Sequence, residues 1–359
     1  MPTYDAVIVG AAPAGSIAAL VLARAGKRVA LLDRAAFPRG KVCGNCVNPS
    51  TWVIWRRLGL AESFAALPHH ASTGFAIHCE GRRVFEHDFR SPEHGPRGVG
   101  RDVLDDWLRR EAESAGAEFF PETTVTGLDA AEGVVATSRG EFRGALVVGA
   151  DGRNSLVARQ TGLMPPPRRC HRVGWQAVIP APSSLDDHVH MHVFEEGYFG
   201  FARTDETHAV ISMVLDARRS QDPDKFARRY LPAFAPTEWR RLNPITRAPA
   251  RLTAGRVWLA GDAARVVEPF TGEGIGFALT TGLLAAETAL TGFARNDPLA
   301  ASAAYARAHR ALYRRRAWVN LLVHWVLVDP ARTVSIVRRL ERLPRGVVTL
   351  MARRVHAVG

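Results

Sequence analysis

Tyr4-Asp5-Ala6-Val7-Ile8-Val9-Gly10-Ala11-Ala12-Pro13-Ala14-Gly15 is the stretch whose reading decides the fold. Residues 4–9 form a short apolar run of the kind found in buried parallel strands. The run passes directly into a glycine-bounded turn, then into a helix pattern with Ile17, Leu20 and Val21 on one stripe. A second strand, Val29-Ala30-Leu31-Leu32, ends at Asp33. Strand, tight turn, helix, strand and acid in that order make a βαβ dinucleotide-binding unit. Gly10 serves the turn and Gly15 the close approach of helix to sheet. The helix start at Ala12, Pro13 and Ala14 presents free N–H groups and a positive dipole end to a pyrophosphate. Asp33, followed by Arg34, is expected at the adenosine ribose. Ala12 stands where the pattern has its middle glycine, which adds one methyl group at the phosphate approach. This unit alone does not distinguish NAD from FAD.

Three segments further along narrow the choice. Ala145-Leu146-Val147-Val148-Gly149-Ala150-Asp151-Gly152-Arg153-Asn154-Ser155 reads as a strand running into an Asp-Gly turn. Gly255-Arg256-Val257-Trp258-Leu259-Ala260-Gly261-Asp262 is a second buried strand ending in Gly-Asp. Glu268-Pro269-Phe270-Thr271-Gly272-Glu273-Gly274-Ile275 then opens a helix. Asp262, at a strand end, suits a hydrogen bond to a ribityl hydroxyl. Bare backbone N–H groups at Gly272 and Gly274 suit an edge that becomes negative on reduction. In these segments the chain resembles the flavoprotein superfamily of para-hydroxybenzoate hydroxylase and the geranylgeranyl reductases, over roughly residues 4 to 290. The resemblance implies FAD as cofactor and NAD(P)H as reductant. It places Arg101, Asp151, Gly152, Gly261, Asp262, Glu273 and Ile275 at the cofactor, with Pro269 and Phe270 on the reactive face of the flavin. The Lys41-Val42-Cys43-Gly44 segment is similar to one in the geranylgeranyl reductases, which puts Cys43 near both flavin and substrate.

The expected fold is α/β: a discontinuous Rossmann-type, glutathione-reductase-like FAD domain (1–70, 97–165 and 250–300) with an antiparallel substrate sheet. Residues 71–96 and 166–249 are assigned to that sheet. Its strands are expected at Gly174–Pro180, Tyr198–Ala202 and Ala209–Val214, and residues 301–359 are helical in pattern. With 47% hydrophobic and 23% charged residues in 359, the composition suits a soluble globular enzyme. No basic and then apolar leader opens the chain, so a cytoplasmic location is the default expectation.

The formal net charge of +12 is concentrated at one end. From Arg307 onward there are twelve arginines against Asp329 and Glu341, so the rest is nearly neutral. A basic tail of apolar-faced helices suits an anionic membrane surface or a plain solvated face better than it specifies nucleic acid, and no nucleic-acid partner is expected. The apolar stretch from Ala317 to Val328 is shorter than the ~20 residues a spanning helix needs. It reads as a packed helix or one lying in a membrane interface.

Two further clusters invite alternatives. Cys43-Gly44-Asn45-Cys46 has the spacing of a redox dithiol, but no second glycine fingerprint for an NAD domain follows, so dithiol chemistry is the lesser reading. His188, His190 and His192 alternate along one strand. Alternate residues stand ~6.5–7 Å apart, which is poor for gathering three ligands, so no metal is expected. One of the three could still face the substrate pocket as an acid or base. Lys27, Lys41 and Lys225 are the lysines, and none matches the position that the flavin halogenases require. The expected activity is therefore reduction of an alkene in a hydrophobic, lipid-like substrate. The alternative is hydroxylation of an aromatic or polyketide-type substrate.

Overall fold

The computed structural model describes residues 2–89, 95–166, 170–230, 238–243, 245–314, 325–326 and 329–340. The βαβ unit forms as its pattern dictates. Thr3–Val9 pairs in parallel with Val29–Leu32 on one side and with Gly140–Gly149 on the other. Val257–Leu259 extends the sheet beyond Gly140–Gly149, and Glu118–Phe120 extends it beyond Val29–Leu32, both in parallel. Thr253–Ala254 and the hairpin Val125–Asp129/Val134–Thr137 complete an eight-stranded sheet. These strands are apolar on both faces because both are covered, and Ile8, Leu31, Leu146 and Val148 have no exposed surface.

The helix Pro13–Arg24 covers one face of this sheet and lies against the helix Gly274–Phe293. Gly15 is required by the first contact, since a Cβ there would stand 1.8 Å from the carbonyl oxygen of Gly10. Trp258 stacks on Tyr305 of the helix Ser302–Arg314, 4.9 Å between ring centroids, and the Tyr305 hydroxyl donates to the Leu259 carbonyl at 2.5 Å.

A second, seven-stranded sheet runs in the order Arg240–Leu242, Arg172–Pro180, His208–Asp216, Gly197–Arg203, His188–Phe194, Gly74–Cys79, Arg82–Asp88. The three strands expected between 174 and 214 are all present in it. The sheet is not wholly antiparallel, however: His188–Phe194 and Gly74–Cys79 run in parallel. This pairing joins segments more than a hundred residues apart, a relation that local patterning does not encode. One face of the sheet turns toward the FAD-type unit. The other buries Phe199, Ile211, Met213 and Leu215 against Phe226 of the helix Pro223–Tyr230.

The helix Pro330–Leu340 packs Val334 and Val337 near Cys79, Met191 and Val193, and Arg338 pairs with Glu80. Most of the apolar stretch from 317 to 328, and the arginine-rich tail from 341, lie outside the described residues.

Candidate active site

Between the two sheets lies a cleft of about 1640 Å³ of empty space, its open mouth included. One wall is built from strand ends and helix starts. Ala12, Pro13 and Ala14 come from the first helix, Gly152 from the Asp-Gly turn, and Gly261 and Asp262 from the end of Val257–Leu259. Gly272, Gly274 and Ile275 come from the start of the helix Gly274–Phe293. Neither the helix Pro13–Arg24 nor the helix Gly274–Phe293 has a side-chain cap at its N-terminus. Two positive helix ends therefore converge on one cleft with amide donors uncovered, the chemistry an anionic group requires. Gly272 holds φ at +65°, and a Cβ there would project into open space. This cradle fits a phosphate-bearing cofactor at one end and a group that gains negative charge at the other.

The opposite wall belongs to the seven-stranded sheet and is largely apolar, with Phe75, Val189, Met191 and Val214 on it. At the seam, Gln176 Nε2 and Ser212 Oγ both donate to the Cys43 carbonyl, at 2.6 and 3.2 Å. The seven-stranded sheet thus grips the backbone of the very segment that lines the opposite wall of the cleft.

Residues 3–290 match the family described as FAD binding domain. The chain belongs to that family. A menaquinone reductase of Mycobacterium tuberculosis is 30% identical, over 79% of this chain and 76% of that protein. A geranylgeranyl diphosphate reductase of Rhodobacter capsulatus is 31% identical, over 80% and 75%. Among solved structures, PqsL of Pseudomonas aeruginosa in complex with 2-aminobenzoylacetate superposes with a TM-score of 0.80 at 18% identity, covering 93% of this chain and 99% of that one. The chain spans 64% to 76% of the length of the first relatives it matches. It is a FAD-dependent oxidoreductase, and the α/β fold with a Rossmann-type FAD-binding unit is that of its relatives.

Against this assignment, the expected residues fall into two groups. Ala12, Pro13, Ala14, Cys43, Arg101, Gly152, Gly261, Asp262, Pro269, Phe270, Gly272, Gly274 and Ile275 all line the cleft. Gly10 and Gly15 shape the turn behind it. Asp33, Arg34, Asp151 and Glu273 do not line it. Asp33 is buried, and its carboxylate accepts from the amides of Ala11 and Ala35 while pairing with Arg39 at 3.4 Å. It braces the glycine turn from behind instead of lining the cleft. Arg34 is exposed. The Asp151 carboxylate accepts from the amides of Leu156 and Val157 at 2.7 and 3.2 Å, and so caps the helix Leu156–Gln160. Burial pushes its pKa up. Glu273 is buried behind the turn whose neighbours, Gly272 and Gly274, face the cleft.

Several polar side chains at or beside the cleft carried no assigned role. Asp105 is fully buried and takes two hydrogen bonds from Arg101, at 2.9 and 2.7 Å, and one from Arg39 at 3.2 Å. The ladder Asp33–Arg39–Asp105–Arg101 ties the end of the second strand to the cleft. Arg101 also interacts with the Cys43 side chain. Arg153 reaches Asp262 at 3.4 Å, and Arg247 donates to the carbonyls of Asp262 and Ala263. Lys41 lines the cleft, and its pKa is lowered, first by burial and then by Arg101. Arg172, Glu268 and Tyr198 form a buried cluster. The guanidinium donates to both Glu268 oxygens, at 2.9 and 2.7 Å, and the Tyr198 hydroxyl donates to Oε1 at 2.8 Å. Tyr198 meets Phe270 edge-on at 5.1 Å. An arginine opening an apolar strand and an acid directly before Pro269-Phe270 were the available signals.

Cys43 and Cys46 are both free thiols. Burial and the neighbouring Cys43 push the Cys46 thiol up to about 12, so it is a poor source of thiolate for dithiol exchange. The alternating histidines lie on the sheet face opposite Val189 and Met191, which line the cleft. None of them reaches the pocket as an acid or base, because side chains alternate across a strand.

Proposed function

We propose that this enzyme reduces a carbon–carbon double bond in a hydrophobic, lipid-like substrate at the expense of NAD(P)H. The observation that carries this reading is the apolar wall facing the cofactor cradle, with the Cys43 segment pinned between the two. FAD, when bound, supplies the hydride chemistry. The chain supplies the rest. Phe75, Val189, Met191 and Val214 bury the hydrocarbon and exclude water. Pro269 and Phe270, held against Tyr198 and the buried Glu268–Arg172 pair, form the edge where the two walls meet.

Alkene reduction needs a proton as well as a hydride. Lys41 lines the cleft, and burial, followed by the nearby Arg101, lowers its pKa, which makes it a readier proton donor than a solvated lysine. We assign proton delivery to Lys41 and substrate positioning to Cys43. The two relatives at 30% and 31% identity are both named as reductases, which supports this branch over hydroxylation. A lipid-like substrate also gives the basic tail a use at an anionic membrane, which co-sedimentation with anionic liposomes tests directly.

The deciding experiment is anaerobic incubation of the flavin-loaded protein with NAD(P)H and a set of prenylated or polyunsaturated acceptors, read by mass spectrometry. Products two hydrogens heavier than the acceptor are expected. Products one oxygen heavier, formed only in air, would place the enzyme with the hydroxylases.

A further inference from the structure

On the face of the seven-stranded sheet turned away from the cleft, three histidines converge from two strands. His190 and His192 alternate on His188–Phe194, and His78 comes from Gly74–Cys79, where it is the register partner of His192. One ring nitrogen from each lies within 4.8 Å of the other two. The expectation of no metal considered one strand alone, whose alternate residues do not gather. The parallel neighbour supplies the missing member.

The hydrogen bonding sets up the ligand atoms. His190 Nε2 contacts Asp186 Oδ1 at 2.6 Å, and the opposite ring nitrogen, Nδ1, meets His78 Nε2 at 3.0 Å. With Nε2–H donating to the carboxylate, Nδ1 carries its lone pair toward His78. A carboxylate that orients a histidine in this way is the usual outer partner of a metal-bound imidazole. The His192 ring stacks on His78 at 4.2 Å and on Phe199 at 4.5 Å, which holds it beside the pair. A tetrahedral ion with metal–nitrogen bonds of about 2.0–2.1 Å needs nitrogens about 3.3 Å apart. The His78–His190 contact is already near that value, and hinging of the His192 ring closes the third side.

We propose that His78, His190 and His192 bind one divalent transition-metal ion of the zinc, nickel or copper class, with Asp186 bracing His190. All-imidazole ligation favours these ions over calcium or magnesium, which take oxygen ligands. The ion clamps the parallel strand pair, the one that carries Val189 and Met191 on the cleft side. Its role is structural, since the cluster lies on the sheet face away from the flavin cradle. The neighbouring group of Glu86, Asp88 and His188 has exposed carboxylates and serves as a control.

The test uses the untagged, flavin-loaded full chain, stripped with a chelator and titrated with Zn²⁺ in a calorimeter. One ion per chain is expected, with a rise in Tm. Asp186→Asn weakens binding by about 10- to 100-fold, His78→Gln weakens it further, and Asp88→Asn leaves it unchanged. Absence of stoichiometric binding, or binding that survives both His78→Gln and His190→Gln, would overturn the proposal. Should those variants not fold, Co²⁺ loaded into the wild-type chain decides. The intense visible bands of a four-coordinate site support it, and the weak spectrum of a six-coordinate ion refutes it.

Discussion

The two walls of the cleft reach the same end by different physics. The cofactor wall works with backbone: glycine turns, two uncapped helix starts and strand ends, all within short stretches of sequence. The wall on the seven-stranded sheet works with side chains from distant strands, through the Arg172–Glu268–Tyr198 cluster and the grip of Gln176 and Ser212 on Cys43. The first has no room for change, because a backbone contact cannot be repacked. The second tolerates variation in its apolar residues while a few buried polar groups hold its position. A family can therefore keep one cofactor and change substrates by redrawing only one wall.

Substitutions on the two sides should separate cofactor retention from turnover. Gly15→Val carries the largest effect. Its side chain would collide with the Gly10 carbonyl, which costs about 3 kcal/mol or more through backbone displacement. The purified protein should lack flavin absorbance and unfold at lower urea.

Glu268→Gln is next. It leaves the Arg172 guanidinium buried without its charge partner, a loss of about 3–5 kcal/mol. Because Glu268 anchors the Pro269-Phe270 edge to the seven-stranded sheet, turnover should fall in the fraction that stays folded while flavin remains bound. Flavin lost in step with turnover would show that the two walls are not separable.

Lys41→Met tests the chemistry at the seam. If Lys41 donates the proton, activity falls as pH rises through its folded pKa, which lies below the ordinary 10.5. That alkaline limb should vanish in the variant together with most of kcat. A wild-type limb that persists in Lys41→Met would assign the proton to another group.

Ser212→Ala removes one of the two donors to the Cys43 carbonyl, worth about 1 kcal/mol. A severalfold rise in KM with flavin content unchanged is expected. Cys46→Ser should be the mildest, with turnover within about twofold of wild type, given the small effects typical of substitutions outside a working network. Loss of activity there would revive the dithiol reading.

The same contrast explains what could be read in advance. The glycine turns, the Gly261-Asp262 and Gly272-Glu273-Gly274 segments and three strands of the seven-stranded sheet were legible because each is a local pattern. Asp33 and Asp151 stand in the expected turns, and neither lines the cleft. Their carboxylates satisfy nearby backbone amides, a choice that spacing does not reveal. The Arg39–Asp105–Arg101 ladder, the Arg172–Glu268 pair and the third histidine at position 78 were not legible. Each joins residues whose proximity exists only after the strands have been ordered.

The central claim, that this flavoenzyme delivers hydride to an organic acceptor and does not hydroxylate with oxygen, is tested most directly by rapid reoxidation. The flavin-loaded protein is reduced anaerobically and mixed with oxygenated buffer in a stopped-flow spectrometer. Direct return to the oxidised spectrum is expected. A transient species distinct from both reduced and oxidised flavin, persisting before it decays, would contradict it.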